Sequence, residues 1–283
     1  MSSAVAEAFR QAAKLNSDDP RRKGNVVHVE GEIIVSGDIH GNRRGLAKII
    51  GYAALNNSRN RCLVIQEIIH GPLDPASGHD RSVELMLRAA RLKINYPEKV
   101  LFLLGNHDVA QLAGGEITKE GRGVCNAFAA GLADAFGEEA EEVMQAVFEF
   151  IRSMPLAVRS RNGVFIAHSL PSPGRMEAAG VEILQRPYVF NDFHRGGSVY
   201  DWTWGRNQTD EQMDALARKL DVKFFILGHR HLRLGAEPLG TRAITIDCSH
   251  EQGAIISFSD DKPLDLESAL QQVVTVNSIA TPG

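Results

Sequence analysis

Apolar and polar positions along this chain follow two different periods. Residues 3–15 repeat Ala, Val and Phe at helical spacing and predict a short amphipathic helix, followed by the polar linker DDPRRKGN. VVHVEGEIIVSGDIHGN then gives two β-rich runs around Glu30-Gly31, the second ending at Gly37. Helices are predicted over 43–55, in RSVELMLRAARLKI, over most of 112–153 and over 209–220. Strands are predicted at RCLVIQEII (61–69), at VLFLL, in LAVRS and VFIAHS either side of Arg161-Asn162-Gly163, and in VKFFIL. RAITIDCSHEQGAIISFSD suggests two closing strands. The alternation of strands with helices predicts an α/β fold.

Five of the apolar runs end in the same way. IIVSGDIHGN, LVIQEIIHG, FLLGNHD, VFIAHS and FFILGHRH each pass from a strand into a short cluster of Asp, His or Asn. Ligands of open α/β sheets gather beyond the carboxyl ends of strands, so these five ends can converge on one site. Taken singly, each has a plainer reading. Asp38 and His40 would cap the helix that follows, and His168 would be a hydrogen-bonded core histidine. Glu67 would pair with a Lys or Arg, and Arg206 would stack on Trp202 or Trp204. His28, His79, His194 and His250 are expected at the surface or rim. Recurrence at five strand ends favours a metal site. Imidazole, carboxylate and amide oxygen without thiolate suit Mn, Fe, Zn or Co. The glycines Gly37, Gly41, Gly105 and Gly228 allow close backbone approach.

Composition narrows the partners. Lys plus Arg (31) nearly balances Asp plus Glu (35) for a formal charge of −4, without the basic excess of a nucleic-acid binder. Cys62, Cys125 and Cys248 are scattered, which argues against a disulfide framework or thiolate zinc. No apolar window reaches the roughly 18 residues of a membrane helix, and MSSAVAEAFRQAAKLN lacks a signal-peptide core. A cytoplasmic protein without membrane partners is expected. Neither GxGxxG nor GxxxxGK[ST] occurs, so no nucleotide-cradling loop is expected.

GDIHGN, GNHD, AHSLP and GHRH, in this order and spacing, resemble the calcineurin-like metallophosphoesterases over roughly residues 25–258. YPEKVLFLLGNHD and MPLAVRSRNGVFIAHSLP are similar to the phosphoprotein-phosphatase branch. The resemblance implies a four-layer α/β/β/α sandwich with its metal site at the sheet edge. It divides the chain into an N-terminal helix and linker (1–22), a catalytic domain (23–262) with residues 112–153 as a helical cover, and a tail (263–283). It assigns one metal to Asp38, His40 and His231 and the other to Asn106, His168 and His229. His107 becomes the general acid and Arg206 a phosphate contact, with Arg43 a second such arginine.

The second motif departs from the family. Where it carries GDxxDRG, this chain has QEIIHGP, so Glu67 falls at the bridging carboxylate, His70 at the second Asp and Gly71 at the Arg. His107 thereby loses its usual acidic partner, for which Asp74 and Asp80 are the nearby substitutes. The implied function is phosphomonoester hydrolysis by two metal ions, with a phosphoprotein or small phosphoester as substrate. A diadenosine-polyphosphate hydrolase is the enzymatic alternative. A metal-binding regulatory protein without turnover is the alternative from another class.

Overall fold

The computed structural model describes residues 3–119 and 121–281. Two mixed sheets lie face to face. The larger has seven strands in the order Arg22–Lys23, Val26–Val29, Ala157–Ser160, Val164–Ala167, Phe224–Leu227, Ala243–Ile246, Ala236–Leu239. The smaller has five: Val273–Thr275, Ala254–Ser259, Glu32–Asp38, Arg61–Gln66, Val100–Leu103. Alternate residues of both sheets point inward, where Val35, Val64, Leu101, Ile166, Ile226 and Ile244 form a core between them. The opposite faces carry Leu63, Ile65, Phe102, Phe165 and Phe225, which helices cover. This is the layered α/β/β/α arrangement.

Aromatic contacts run through the otherwise mainly aliphatic outer layers. Phe9 is fully buried and lies 5.8 Å from Phe150, which lies 5.1 Å from Phe102 on the strand beneath. The first helix, Ala4–Ser17, is thus joined to the domain through Ala140–Ser153 and Ser82–Asn95 rather than projecting from it. Its apolar stripe of Ala6, Phe9, Ala12 and Ala13 sets the buried face, and the Ser3 hydroxyl caps the start by accepting from Val5 N–H. On the far side, Trp202 of the helix Ser198–Trp204 lies 6.2 Å from Phe165.

Three expectations change in detail. The strand begun at Arg61 stops at Gln66, because Glu67 enters the left-handed region (φ +44) and turns the chain. Residues 112–153 hold the end of the helix Asn106–Ala113, a two-stranded hairpin and two longer helices, Val124–Phe136 and Ala140–Ser153. Gly114 and Gly137, both at positive φ, supply two of the breaks. The two closing strands also separate: Ala243–Ile246 joins the larger sheet and Ala254–Ser259 the smaller.

Strand direction positions the site. Glu32–Asp38, Arg61–Gln66 and Val100–Leu103 run parallel, as do Val164–Ala167, Phe224–Leu227 and Ala243–Ile246. Their carboxyl ends meet at one edge, where a bridge between Asp38 and Asp247 ties the two sheets together.

Candidate metal centre

Each sheet contributes donors from its strand ends. Asp38 closes one strand, Glu67 follows the next, and Asn106 opens the helix after the third. From the other sheet come His168, directly after Ala167, and His229, two residues beyond Leu227. Of the seven non-glycine residues at positive φ among those described, four lie here: His40, Glu67, His70 and His229. Such backbone costs on the order of 1–3 kcal/mol per residue and persists where the surroundings impose it.

Glu67 stands at the centre. Its Oε1 lies 3.5 Å from His168 Nε2 and its Oε2 lies 3.4 Å from His40 Nε2. The His107 N–H donates to Oε1 at 2.8 Å, fixing the carboxylate from below. Around it, Asn106 Oδ1 lies 2.9 Å from His168 Nε2 and 2.7 Å from His229 Nδ1. Asp38 accepts the His229 N–H at 3.0 Å and approaches His168 Nδ1 at 3.5 Å. Close approach is possible because Gly105 and Gly228 lack side chains: a Cβ on either would fall 2.4 Å from Glu67 Oε1 or Asp38 Oδ1. His40 has its Nδ1 held 2.9 Å from the Ile69 carbonyl, so its Nε2 faces inward.

Burial decides the charge states. Asp38, Glu67, Asn106, His168 and His229 are all buried. Burial pushes the Asp38 carboxyl up to about 8, with Asp247 and Asp108 adding repulsion against the pull of the His229 N–H. Burial holds His229 down at about 3 and His168 well below the ordinary range, assisted in both cases by Arg206. Two neutral imidazoles, an amide oxygen and two carboxyl groups form a set of donors that lacks positive charge. These residues fit divalent cations. Groups able to hold one occur at Asp38, Glu67 and His168 and at His40, Glu67 and His107, with Glu67 common to both.

Three expected residues stand apart. His231 is not gathered with Asp38 and His40: its Nδ1 lies 3.1 Å from Asp247 Oδ2, its ring meets that of His250, and its side chain is 77% exposed. Asp247 is fixed by the N–H groups of Leu232 (2.9 Å) and Ser249 (2.8 Å), which leaves the His231 Nε2 outward. Arg206 lies exposed at the rim and donates to the His229 carbonyl at 3.4 Å. Arg43 is engaged by Glu84 and the Arg81 carbonyl.

Asp74 and Asp80 are both engaged elsewhere than at His107. Asp74 caps the turn at Ala76 and Ser77. Asp80 accepts from Ser82 and from the N–H groups of His70 and Gly71. Instead the His107 Nδ1 meets His70 Nδ1 at 2.8 Å, and His70 Nε2 meets Gln111 Oε1 at 2.9 Å. Gln66, an uncharged residue that the strand-end pattern does not mark, also belongs here: its Nε2 donates to Ser36 O and its Oε1 faces His168 Nδ1 at 3.3 Å. Asp247 was missed too, although AITI running into Asp247 repeats the strand-end signal of the other five.

Two stacked sheets thus meet at a common edge that gathers buried nitrogen and oxygen donors able to hold cations. The chain matches the model of the calcineurin-like phosphoesterases over residues 31–233 and belongs to that family. It is accordingly a metal-dependent phosphoester hydrolase. No curated protein sequence gives a significant match. Among solved structures, a serine/threonine phosphatase from Saccharomyces cerevisiae with similarity to human PP5 aligns with a TM-score of 0.63 at 15% identity, over 89% of this chain and 81% of that one. A cold-active protein-tyrosine phosphatase from a psychrophilic Shewanella species aligns at 0.61 with 14% identity, over 93% and 84%. At these identities the likeness is one of fold.

Proposed function

We propose that this protein hydrolyses phosphomonoesters with two cations, drawn from Mn, Fe, Zn and Co, in the manner of the serine/threonine phosphatases. The observation that carries this reading is Glu67, whose two carboxylate oxygens face His40 on one side and His168 on the other at 3.4 and 3.5 Å. Asp38 and His40 would hold the first cation and Asn106, His168 and His229 the second, with Glu67 between them. His231 would complete the first through its exposed Nε2, oriented by Asp247 as metal-bound imidazoles commonly are by a carboxylate. Bound there, the cations supply Lewis-acid polarisation of the phosphoryl group and activation of water.

The chain's own groups do the rest. Arg206, at the rim beside the His229 carbonyl, would meet the equatorial phosphoryl oxygens and offset their charge. His107, beside His40 with ring centroids 4.6 Å apart, delivers a proton to the departing alkoxide. The buried histidines bind cations as neutral ligands and need no proton release at neutral pH. The three cysteines are free and buried, which accords with a reducing compartment such as the cytoplasm. Among the described residues no helix is long and apolar enough to cross a membrane.

Substrate class is tested by comparing kcat/KM on a phosphoserine peptide, a phosphotyrosine peptide and diadenosine tetraphosphate with the metal-loaded protein. The reading predicts preference for the phosphoserine peptide. Preference for the dinucleotide would replace it with the polyphosphate-hydrolase alternative.

A further inference from the structure

The chain from His107 through His70 to Gln111 carries an inference about this site that rests on the phosphatase reading above. We infer that His70 and Gln111 are positioning residues that fix the proton of His107 on Nδ1 and so present its Nε2 to the substrate. Gln111 Oε1, 2.9 Å from His70 Nε2, accepts the proton of that nitrogen. His70 Nδ1 then carries a lone pair, and its partner 2.8 Å away, His107 Nδ1, is the donor. Neutral imidazole has one donor and one acceptor nitrogen, so each hydrogen bond in the chain dictates the next.

The arrangement is built rather than incidental. His107 and Gln111 sit four residues apart on the helix Asn106–Ala113 and share a face, so a single ring between them can touch both. His70 and Gln111 are both buried, which makes an unmatched nitrogen costly and enforces one proton arrangement. The His70 ring stands edge-on to Phe128 at 5.7 Å. Its backbone lies at φ +59, with its N–H and that of Gly71 held by Asp80. An acidic residue at position 70 would accept the same Nδ1–H. The histidine does so without a charge, and it needs Gln111 to keep it in the accepting form.

During turnover His107 enters the step with a second proton, taken up from solvent on Nε2; it gives that proton to the leaving oxygen as the P–O bond breaks and returns to the neutral form, with Nδ1–H kept on His70 throughout. The contribution therefore grows with the basicity of the leaving group. It is large for an alkyl phosphomonoester and small for p-nitrophenyl phosphate, whose phenolate leaves without a proton.

The test uses the full chain loaded with Mn²⁺ for kinetics and with Zn²⁺ for ¹⁵N NMR of the histidine rings. The wild type should show His107 as the Nδ1–H form, and Gln111→Glu, which keeps an acceptor, should retain it. Gln111→Leu should lose that form and lower kcat on a phosphoserine peptide on the order of 10²-fold, with p-nitrophenyl phosphate changed less than about threefold. His70→Asp should keep His107 in the Nδ1–H form and hold phosphoserine turnover above that of Gln111→Leu. A neutral His107 in the wild type with its proton on Nε2 and none on Nδ1 would overturn the inference. So would an equal loss on both substrates with metal content intact, which marks a structural role. Absence of turnover on every substrate by the metal-loaded wild type would instead remove the phosphatase reading, whatever the NMR result.

Discussion

Glu67 carries more of the site's geometry than any other side chain. It reaches His40 and His168 with separate oxygens, and it takes the N–H of His107 on the one facing His168. The missing Cβ of Gly105 leaves room for its longer arm. Replacement Glu67→Gln keeps the shape and the amide hydrogen bond but removes the charge between two cations. We expect it to lose one bound metal and to weaken binding by more than the roughly 10–100-fold that loss of an outer-shell partner costs. Metal content by mass spectrometry together with p-nitrophenyl phosphate turnover checks this, and retention of two metals would show that Glu67 does not bridge. Arg206→Ala should instead leave metal content unchanged and raise KM for phosphate esters, because its charge acts at the rim. An unchanged KM and kcat would return Arg206 to the plain surface role.

At the scale of elements, the turns beyond the strands decide function while the strands themselves provide stability. Gly71 packs against Gly41, and a Cβ at position 71 would fall 2.8 Å from Gly41 Cα. A side chain at position 71 would part the loops carrying His40 and His70. Gly71→Ala is expected to lower activity sharply with only modest loss of fold stability, compared by turnover and chemical denaturation. Phe9→Ala should do the reverse, costing about 3–5 kcal/mol while sparing turnover. The strand ends were legible in the sequence because apolar runs followed by Asp, His or Asn are visible locally. The partition of Ala243–Ile246 and Ala254–Ser259 between sheets was not, since period-two patterning identifies a strand but not its neighbour. The His107–His70–Gln111 chain was equally hidden, because it depends on one ring bridging a loop and a helix face. The exposed stance of His231 depends on a rotamer and on Asp247, neither of which its HxH spacing encodes.

For the whole molecule, the metal centre links stability to pH. Burial raises Asp38 from 3.8 to about 8, so the folded chain holds a proton that the unfolded chain has already released. Stability of the metal-free protein therefore falls with rising pH across that interval. His229, lowered from 6.5 to about 3, acts oppositely: its unfolded form binds the extra proton, so stability rises with pH up to about 6.5. His168 acts in the same sense as His229. The two trends oppose each other below 6.5; above it the histidines drop out and the Asp38 carboxyl remains, joined up to about 7 by Asp108, which burial also raises. Protein stripped with EDTA should lose on the order of 2 kcal/mol between pH 6.5 and 8, and metal should restore more stability at pH 8 than at 6.5. Denaturant titrations at both pH values check this, and a flat metal-free profile would contradict the buried-carboxyl account. The most direct measurement is of p-nitrophenyl phosphate hydrolysis by metal-stripped protein titrated with Mn²⁺, with bound metal counted at each step. Activity that returns as about two ions bind per chain is the predicted result. Stoichiometric binding without turnover on this or a diester substrate, or failure to bind metal at all, would contradict it.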